Sequence, residues 1–273
     1  MPMGELSFLS QELYERYGAV KRARGSFLYT AKGVRLTDLY QEDGKAILGW
    51  GAGSSLTMLK NALARGATGS FVTDYSYRLE KSVGALLGDE RMIFVFNDKA
   101  KLLSLALSLF PEGTSFYKPW LPSSPDWTSI PAVAVIPPFP TAESFFILAL
   151  KSSKEVEVAL SLLSQKQSLG NIRISSAVEA ALTRSIYDLI KALQEREEKH
   201  WFIYDRILSR YWTRKGPYLY STVKKEHYAD FVLHCLDCHI VINPLCNQPS
   251  IVPFGADEGV FSLLAKKPFK GGE

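Results

Sequence analysis

Cysteine is scarce, with three in 273 residues, all between Cys235 and Cys246. An odd count in so short a stretch cannot staple a secreted scaffold. No hydrophobic run approaches the roughly 18 residues of a membrane span. The opening, MPMGELSFLSQELYERYG, carries acidic residues in a helical pattern, unlike a signal peptide. The expectation is a cytoplasmic protein without membrane association. A strong excess of one charge is also missing. Thirty-two basic against 28 acidic side chains leave +4, too thin for a chain whose whole surface binds nucleic acid. There are four histidines and no G-x-S-x-G elbow, so nothing points to a serine hydrolase. Internal repeats and low-complexity linkers are absent. What is present is globular: 47% hydrophobic residues, with 15 Phe, 13 Tyr and 5 Trp. The length exceeds one small core and falls short of two full-sized domains.

The front third alternates short strands with glycine punctuation. Gly25–Gly33 and Val34–Tyr40 read as strands, Asp43-Gly44 as a turn, and AILGW (46–50) as a third strand. GAGSS then leads into a helix that stops near Gly66, and a second helix fits Asp74–Leu87, with Gly88 just past its end. The middle third is richer in continuous apolar runs. Arg91–Asn97, Ala132–Ile136 and Ser144–Leu150 read as buried strands. Asn97 or Asp98 caps a helix over DKAKLLSLALSLF, a Pro-, Ser- and Trp-rich loop covers 111–131, and another helix starts near Ser153. In the last third Ser176 and Glu179 form a capping box. It opens a helical pattern through Leu182, Ile186, Leu189 and Leu193 that continues to Ile207, Leu208 and Tyr211, with the charged EREEK run at a bend. YLYSTV, a helix over Glu226–Leu236, a strand HIVINPL and a terminal helix complete the chain.

Three motifs have the spacing of known chemistry. GWGAGSS (49–55), between strand and helix, could hold a phosphate on its backbone N–H groups, but lacks the Lys-Ser/Thr ending of a P-loop. A plain turn is the expectation. HCLDCH (234–239) has Cys235 and Cys238 at zinc spacing, with His234, His239 and Cys246 as further ligands. No second pair completes the set, so packing is preferred and no metal is expected. KHWFIYDRILSRYWTRK (199–215) interleaves aromatics with Arg206, Arg210, Arg214 and Lys215, as a single-strand binder would. The same letters make an amphipathic helix with an aromatic core face.

The order of elements carries a resemblance. RGSFLYTAKGVRLTDLYQEDGKAILGWGAGSSLTMLKNALARG resembles the opening of class III (ornithine and GABA type) pyridoxal-phosphate aminotransferases, with their "G-x-x-L-x-D-x-x-G-x-x-Y-L-D" hairpin and glycine-rich turn. Helix Asp74–Leu87, strand RMIFVFN, helix Ile174–Leu193 and FVLHCLDCHIVINPL…ADEGVFSLLAKK resemble later parts, so the similarity spans nearly the whole chain. It implies an α/β fold: a truncated fold-type-I large-domain remnant of about three strands with helices (71–215), plus a small α+β domain from the N- and C-terminal segments (1–70 and 216–273).

The departures fall where the family's chemistry sits. In place of the loop that cradles the cofactor phosphate stand Asn97, Asp98, Lys99, Ala100 and Lys101. In place of the Schiff-base lysine stand Ile136, Pro137, Pro138 and Phe139. The segment 111–131 replaces the stretch with the stacking aromatic and the aspartate that pairs with the pyridine nitrogen. The family's strand order would make RMIFVFN, SFFILAL and AVAVI contiguous, with 111–131 covering the new sheet edge. The resemblance thus implies a pseudoenzyme without pyridoxal phosphate, with a binding or assembly role. Its partners would be a second copy in a homodimer, or a full-length aminotransferase. Nucleic acid and membrane are not expected. Two alternatives stay open: an active enzyme using Lys151 or Lys154 as a relocated Schiff-base lysine, and a nucleic-acid-binding module.

Overall fold

The computed structural model describes residues 3–69, 71–166 and 169–270. In chain order the elements are α1 (Met3–Tyr17), β1 (Val20–Arg24), β2 (Phe27–Thr30), β3 (Arg35–Asp38), α2 (Ser55–Ala64), α3 (Tyr75–Leu87), β4 (Arg91–Phe96) and α4 (Lys99–Leu109). Next come β5 (Thr114–Phe116), β6 (Ala132–Val135), β7 (Phe146–Lys151), α5 (Lys154–Lys166), α6 (Ser176–Glu195), α7 (Lys199–Phe202) and α8 (Asp205–Leu208). The chain closes with β8 (Trp212–Lys215), β9 (Tyr218–Ser221), α9 (Tyr228–Asp237), β10 (Ile240–Val241), β11 (Ser250–Ile251) and α10 (Ser262–Lys266). Two compact units emerge. Unit 1 takes the chain up to Ala52, Trp120–Pro122 and everything from Arg196; unit 2 takes Gly53–Pro119 and Ser123–Glu195.

The units divide at 52 and 196 rather than at 70 and 216, and packing explains both shifts. Helix α2 and the turn after it pack on α6, Ala62 and Ala67 meeting Ala177 and Ala180, small residues that let the backbones approach closely. Trp201, Tyr204, Leu208, Tyr211 and Trp212 all lie in the core of unit 1.

In unit 1 the sheet order is β1-β2-β3-β10, with β1, β2 and β3 antiparallel and β10 parallel to β3. Leu28 and Leu36 share one face of this sheet and enter a core with Phe231 and Leu236. A second sheet, β11-β9-β8, turns at Gly216-Pro217. The helical pattern therefore stops at Glu195. The charges of 195–199, exposed apart from half-buried Arg196, break the apolar seam, two one-turn helices follow, and Trp212–Lys215 is a strand.

AILGW is no strand either. Only Trp50 pairs, in a single bridge with Gly25. The preceding Gln41, Glu42 and Asp43 take left-handed backbone angles in succession (φ 50°, 52° and 55°), which costs on the order of 1–2 kcal/mol per residue. Asp38 holds that turn: its carboxylate accepts the N–H groups of Tyr40 (3.0 Å) and Gln41 (2.8 Å) and the indole N–H of Trp50 (2.7 Å).

Burial raises the Asp38 pKa to about 6, against the lowering effect of these hydrogen bonds. A carboxyl that keeps its proton more tightly in the folded state destabilises the fold once ionised. The penalty is complete above pH 6 and is relieved as pH falls toward 4. Measured by urea denaturation against Asp38→Asn, which cannot titrate, the wild type should gain roughly 2–3 kcal/mol between pH 7 and pH 4. A difference that stays flat over that window would refute the buried-carboxyl account.

In unit 2 the sheet order is β4-β7-β6-β5. The three apolar runs are thus contiguous, in the order the resemblance implies. β4 and β6 are each antiparallel to β7, and β5 is parallel to β6. Both faces are buried: Ala134, Leu148 and Leu150 pack with α4 and α5, and Val133, Val135, Ile147 and Ala149 are equally buried on the other side. The edge of β6 is covered from within the 111–131 segment, but by a strand, Thr114–Phe116, whose three residues are too few to show a strand period.

Arg91 holds the end of that segment, from Trp127 to Ile130. Its side chain is 0% exposed and grips Asp89 with Nε (2.7 Å) and a terminal nitrogen (3.1 Å). It also donates to the carbonyls of Trp127 (2.7 Å) and Ile130 (2.7 Å).

Candidate functional site

Because β4, β5 and β6 run in one direction, their C-terminal ends gather Asn97–Lys101, Phe116 and Ile136–Phe139 at one end of the unit 2 sheet. Two of the sequence-derived clusters therefore meet there. Asp98 is the N-cap of α4, and its carboxylate accepts the N–H groups of Ala100 (2.8 Å) and Lys101 (3.4 Å). These are the donors that a phosphate at this helix start would use, and a resident negative charge already takes them. Asn97 and Asp98 are exposed, and the Lys99 amine lies over the Phe116 ring, 4.7 Å from its centroid. After β6 the chain turns tightly, Phe139 N–H donating to Pro137 O (2.8 Å), with Pro137, Pro138 and Phe139 buried. No lysine occurs between Val135 and Phe146.

The glycine-rich loop ends in the same way. Ser54 N–H donates to the Asp188 carboxylate of α6 at 2.8 Å. Gly53 has φ +73°, and a Cβ there would lie 2.3 Å from that carboxylate. The loop needs glycine, and its anion is the chain's own aspartate. Nothing local in the sequence pairs Asp188 with Gly53; the contact comes from α2 docking on α6.

Lys151 and Lys154 lie at the far end of the sheet. Lys151 pairs in register with Arg91, whereas Phe146 pairs with Phe96. Five residues of strand, on the order of 17 Å, separate Lys151 from the Asn97 end. Its amine donates to Thr128 O (2.6 Å) and lies 4.0 Å from Asp89, half exposed. Lys154 is exposed at the start of α5. The register thus corrects the idea of a relocated lysine beside Asn97–Lys101. That same far end borders a cleft of about 700 Å3 lined by Tyr77, Glu80, Lys81, Asp89, Glu90 and Tyr187, among others. Burial, then Glu90, raises the Glu80 pKa.

The remaining motifs resolve into packing. Cys235 is fully buried in the unit 1 core, and burial pushes its thiol pKa up. His234 Nε2 lies 2.8 Å from the Lys267 carbonyl and 3.8 Å from Cys238 Sγ. Among the described residues no group of three or more His, Cys, Asp or Glu could hold a metal. Arg214 is clamped by Asp205 (2.6 Å) and Glu198 (2.5 Å), and Trp201 and Trp212 are buried. The 199–215 stretch therefore offers no run of stacking aromatics beside free cations. No helix among the described residues is long and apolar enough to cross a membrane.

No protein-family model matches the chain. An uncharacterized protein of Treponema pallidum (strain Nichols) is 26% identical over 282 residues, covering 89% of this chain and 91% of that protein. Among solved structures, ornithine aminotransferase from Plasmodium yoelii superposes with a TM-score of 0.65 at 13% identity, covering 96% of this chain and 98% of that one. An omega-transaminase from Sphaerobacter thermophilus gives 0.64 at 10% identity, over 90% of each chain. Acetylornithine aminotransferase from Elizabethkingia anophelis gives 0.61 at 11% identity, over 95% of this chain and 97% of that one. The fold is the mixed α/β fold of fold-type-I aminotransferases.

Proposed function

We propose that this chain is a non-catalytic protein on an aminotransferase scaffold, acting through binding or assembly. Asp98 carries the reading: it occupies the helix start where the family's cofactor phosphate would lie, with an N–H acceptor of its own. A phosphate placed there would meet a fixed carboxylate and find its donors engaged. The turn after β6, Ile136-Pro137-Pro138-Phe139, supplies no amine for a Schiff base. Lys151 stands at the opposite end of the sheet. These residues do not fit pyridoxal phosphate. The scaffold itself also supports a homodimer, since aminotransferase sites form between subunits; sedimentation velocity on the purified chain tests that part.

The decisive experiment is a titration with pyridoxal phosphate, scanned for absorbance before and after borohydride and followed by intact mass. We expect no saturable band and no stoichiometric reduced adduct. A one-to-one adduct mapping to a single lysine, with Lys99 and Lys101 the nearest to this end, would overturn the reading.

A further inference from the structure

The overall +4 conceals a concentration of charge. Val20–Asp38, the span of β1, β2 and β3, contains Lys21, Arg22, Arg24, Lys32 and Arg35 against Asp38 alone, leaving 27 basic and 27 acidic side chains in the remainder. The whole positive excess thus belongs to the β1–β2–β3 sheet of unit 1. Register decides where it points. Arg22 pairs with Tyr29 and Tyr29 with Arg35; in the next row Arg24 pairs with Phe27 and Phe27 with Thr37. Directly paired residues share a face, so Arg22, Arg24 and Arg35 stand with Tyr29 and Phe27 on the face opposite Leu28 and Leu36. The three arginines are exposed and the two rings half-buried. The Arg22 guanidinium lies 5.4 Å from the Tyr29 ring centroid, and that of Arg35 lies 4.5 Å from the Phe27 centroid. Among the described residues none of Lys21, Arg22, Arg24 or Arg35 has a carboxylate partner.

We propose that this sheet face binds single-stranded nucleic acid. Guarding an open sheet edge explains basic residues on β1. It does not explain Arg35, on an interior strand, or why the one acidic residue of these strands, Asp38, is buried on the Leu36 face. Arg22 and Arg35 straddle β2 at two strand spacings, about 10 Å, and each presents a planar guanidinium backed by an aromatic ring. That arrangement suits phosphates at the arginines and unstacked bases over the flat cation–aromatic pairs. Duplex bases are already stacked and cannot use such a platform. A bilayer would call for protruding apolar side chains, whereas Phe27 packs against the unit 1 core and Tyr29 is half-buried. The inference is independent of the non-catalytic reading, because an active aminotransferase could carry the same face.

The test is fluorescence anisotropy of the full chain with a labelled mixed-sequence 15-mer, single-stranded and as duplex, from 50 to 200 mM salt. Poly-glutamate and phosphatidylserine vesicles serve as rival ligands. With three phosphates neutralised, log K should fall with log salt at a slope near −2, about a 20-fold loss over that range. Arg22→Gln/Arg24→Gln/Arg35→Gln should weaken binding at least tenfold at 50 mM while its circular dichroism and Tm stay those of the wild type. Arg206→Gln/Arg210→Gln, which removes two exposed arginines elsewhere, should leave binding unchanged. Four results would each overturn the proposal: no binding at 50 mM salt, equal loss in both variants, tighter binding of the duplex, or tighter binding of poly-glutamate or vesicles.

Discussion

Arg91→Met is expected to destabilise unit 2 by about 3–5 kcal/mol, the cost of leaving one half of a buried ion pair behind. Methionine nearly fills the volume of the side chain, so cavity formation contributes little and the loss is one of charge and hydrogen bonds. Arg91 is wholly buried, and the Asp89 it grips is only 20% exposed. Its removal strands that carboxylate, with Lys151 at 4.0 Å as a weak substitute. It also strands the Trp127 and Ile130 carbonyls, which Arg91 contacts at 2.7 Å each. Trp127 is the single tryptophan of unit 2 and packs on Tyr117 with ring centroids 5.0 Å apart. Its fluorescence should therefore report release of the 123–131 segment at lower denaturant than in the wild type. The double variant Arg91→Met/Asp89→Asn should recover part of the loss, because the stranded charge goes with its partner. A single-variant cost below about 1 kcal/mol would mean that the segment is anchored elsewhere.

Phe231→Ala should cost unit 1 a similar amount, about 3–5 kcal/mol, typical of a fully buried phenylalanine. Phe231 is 0% exposed. Its ring lies 5.1 Å from those of Tyr211 and Trp212, 5.2 Å from Phe269 and 6.2 Å from Tyr228. These partners come from β8 and the residue before it, from α9 itself and from the C-terminal segment, so one truncation opens a void touching three separate stretches of chain. Phe231→Leu, which keeps most of the volume, should cost less than half as much. The two Phe231 variants separate cavity from aromatic geometry by urea denaturation read through near-ultraviolet circular dichroism. Equal losses in both would point to ring–ring contacts, rather than volume, as the main contribution.

Much of this architecture was legible in the chain. Continuous apolar runs such as RMIFVF and FILALK must be buried on both faces, and their lengths suit strands better than helices. The helix starts near Ser176 and Asp98 carry local signals, and the structure uses both. The Ser176–Glu179 capping box does not form: Ser175 Oγ accepts the Val178 N–H (3.4 Å), and Glu179 accepts from Ser76 instead. The strands' order in the sheet, β4-β7-β6, followed from the aminotransferase-like sequence of elements and not from any one strand. Three-residue β5 and four-residue β8 were hidden. So few residues show no period, and each is a strand only because a neighbour offers its edge. The left-handed turn at Gln41–Asp43 was half hidden for a related reason. Asp43-Gly44 marks a turn, but Gln41 and Glu42 do not favour left-handed angles, and the run rests on Asp38, Trp50 and Asn243 converging from three places, Asn243 donating to Asp43 at 3.3 Å.

The candidate site divides along the same line. Composition and order alone determined that no lysine lies in the turn after β6 and that an aspartate begins α4, because identity at a position needs no fold to be read. Only the tertiary structure decided that those two positions share one end of the sheet and that Lys151 lies at the other, since strand register sets distance. It also paired Asp188 with the glycine loop and gathered Arg22, Arg24 and Arg35 on one face with Tyr29 and Phe27. Sequence fixes which charges a chain carries, but strand pairing and helix docking decide which of them meet a partner and which are left facing water.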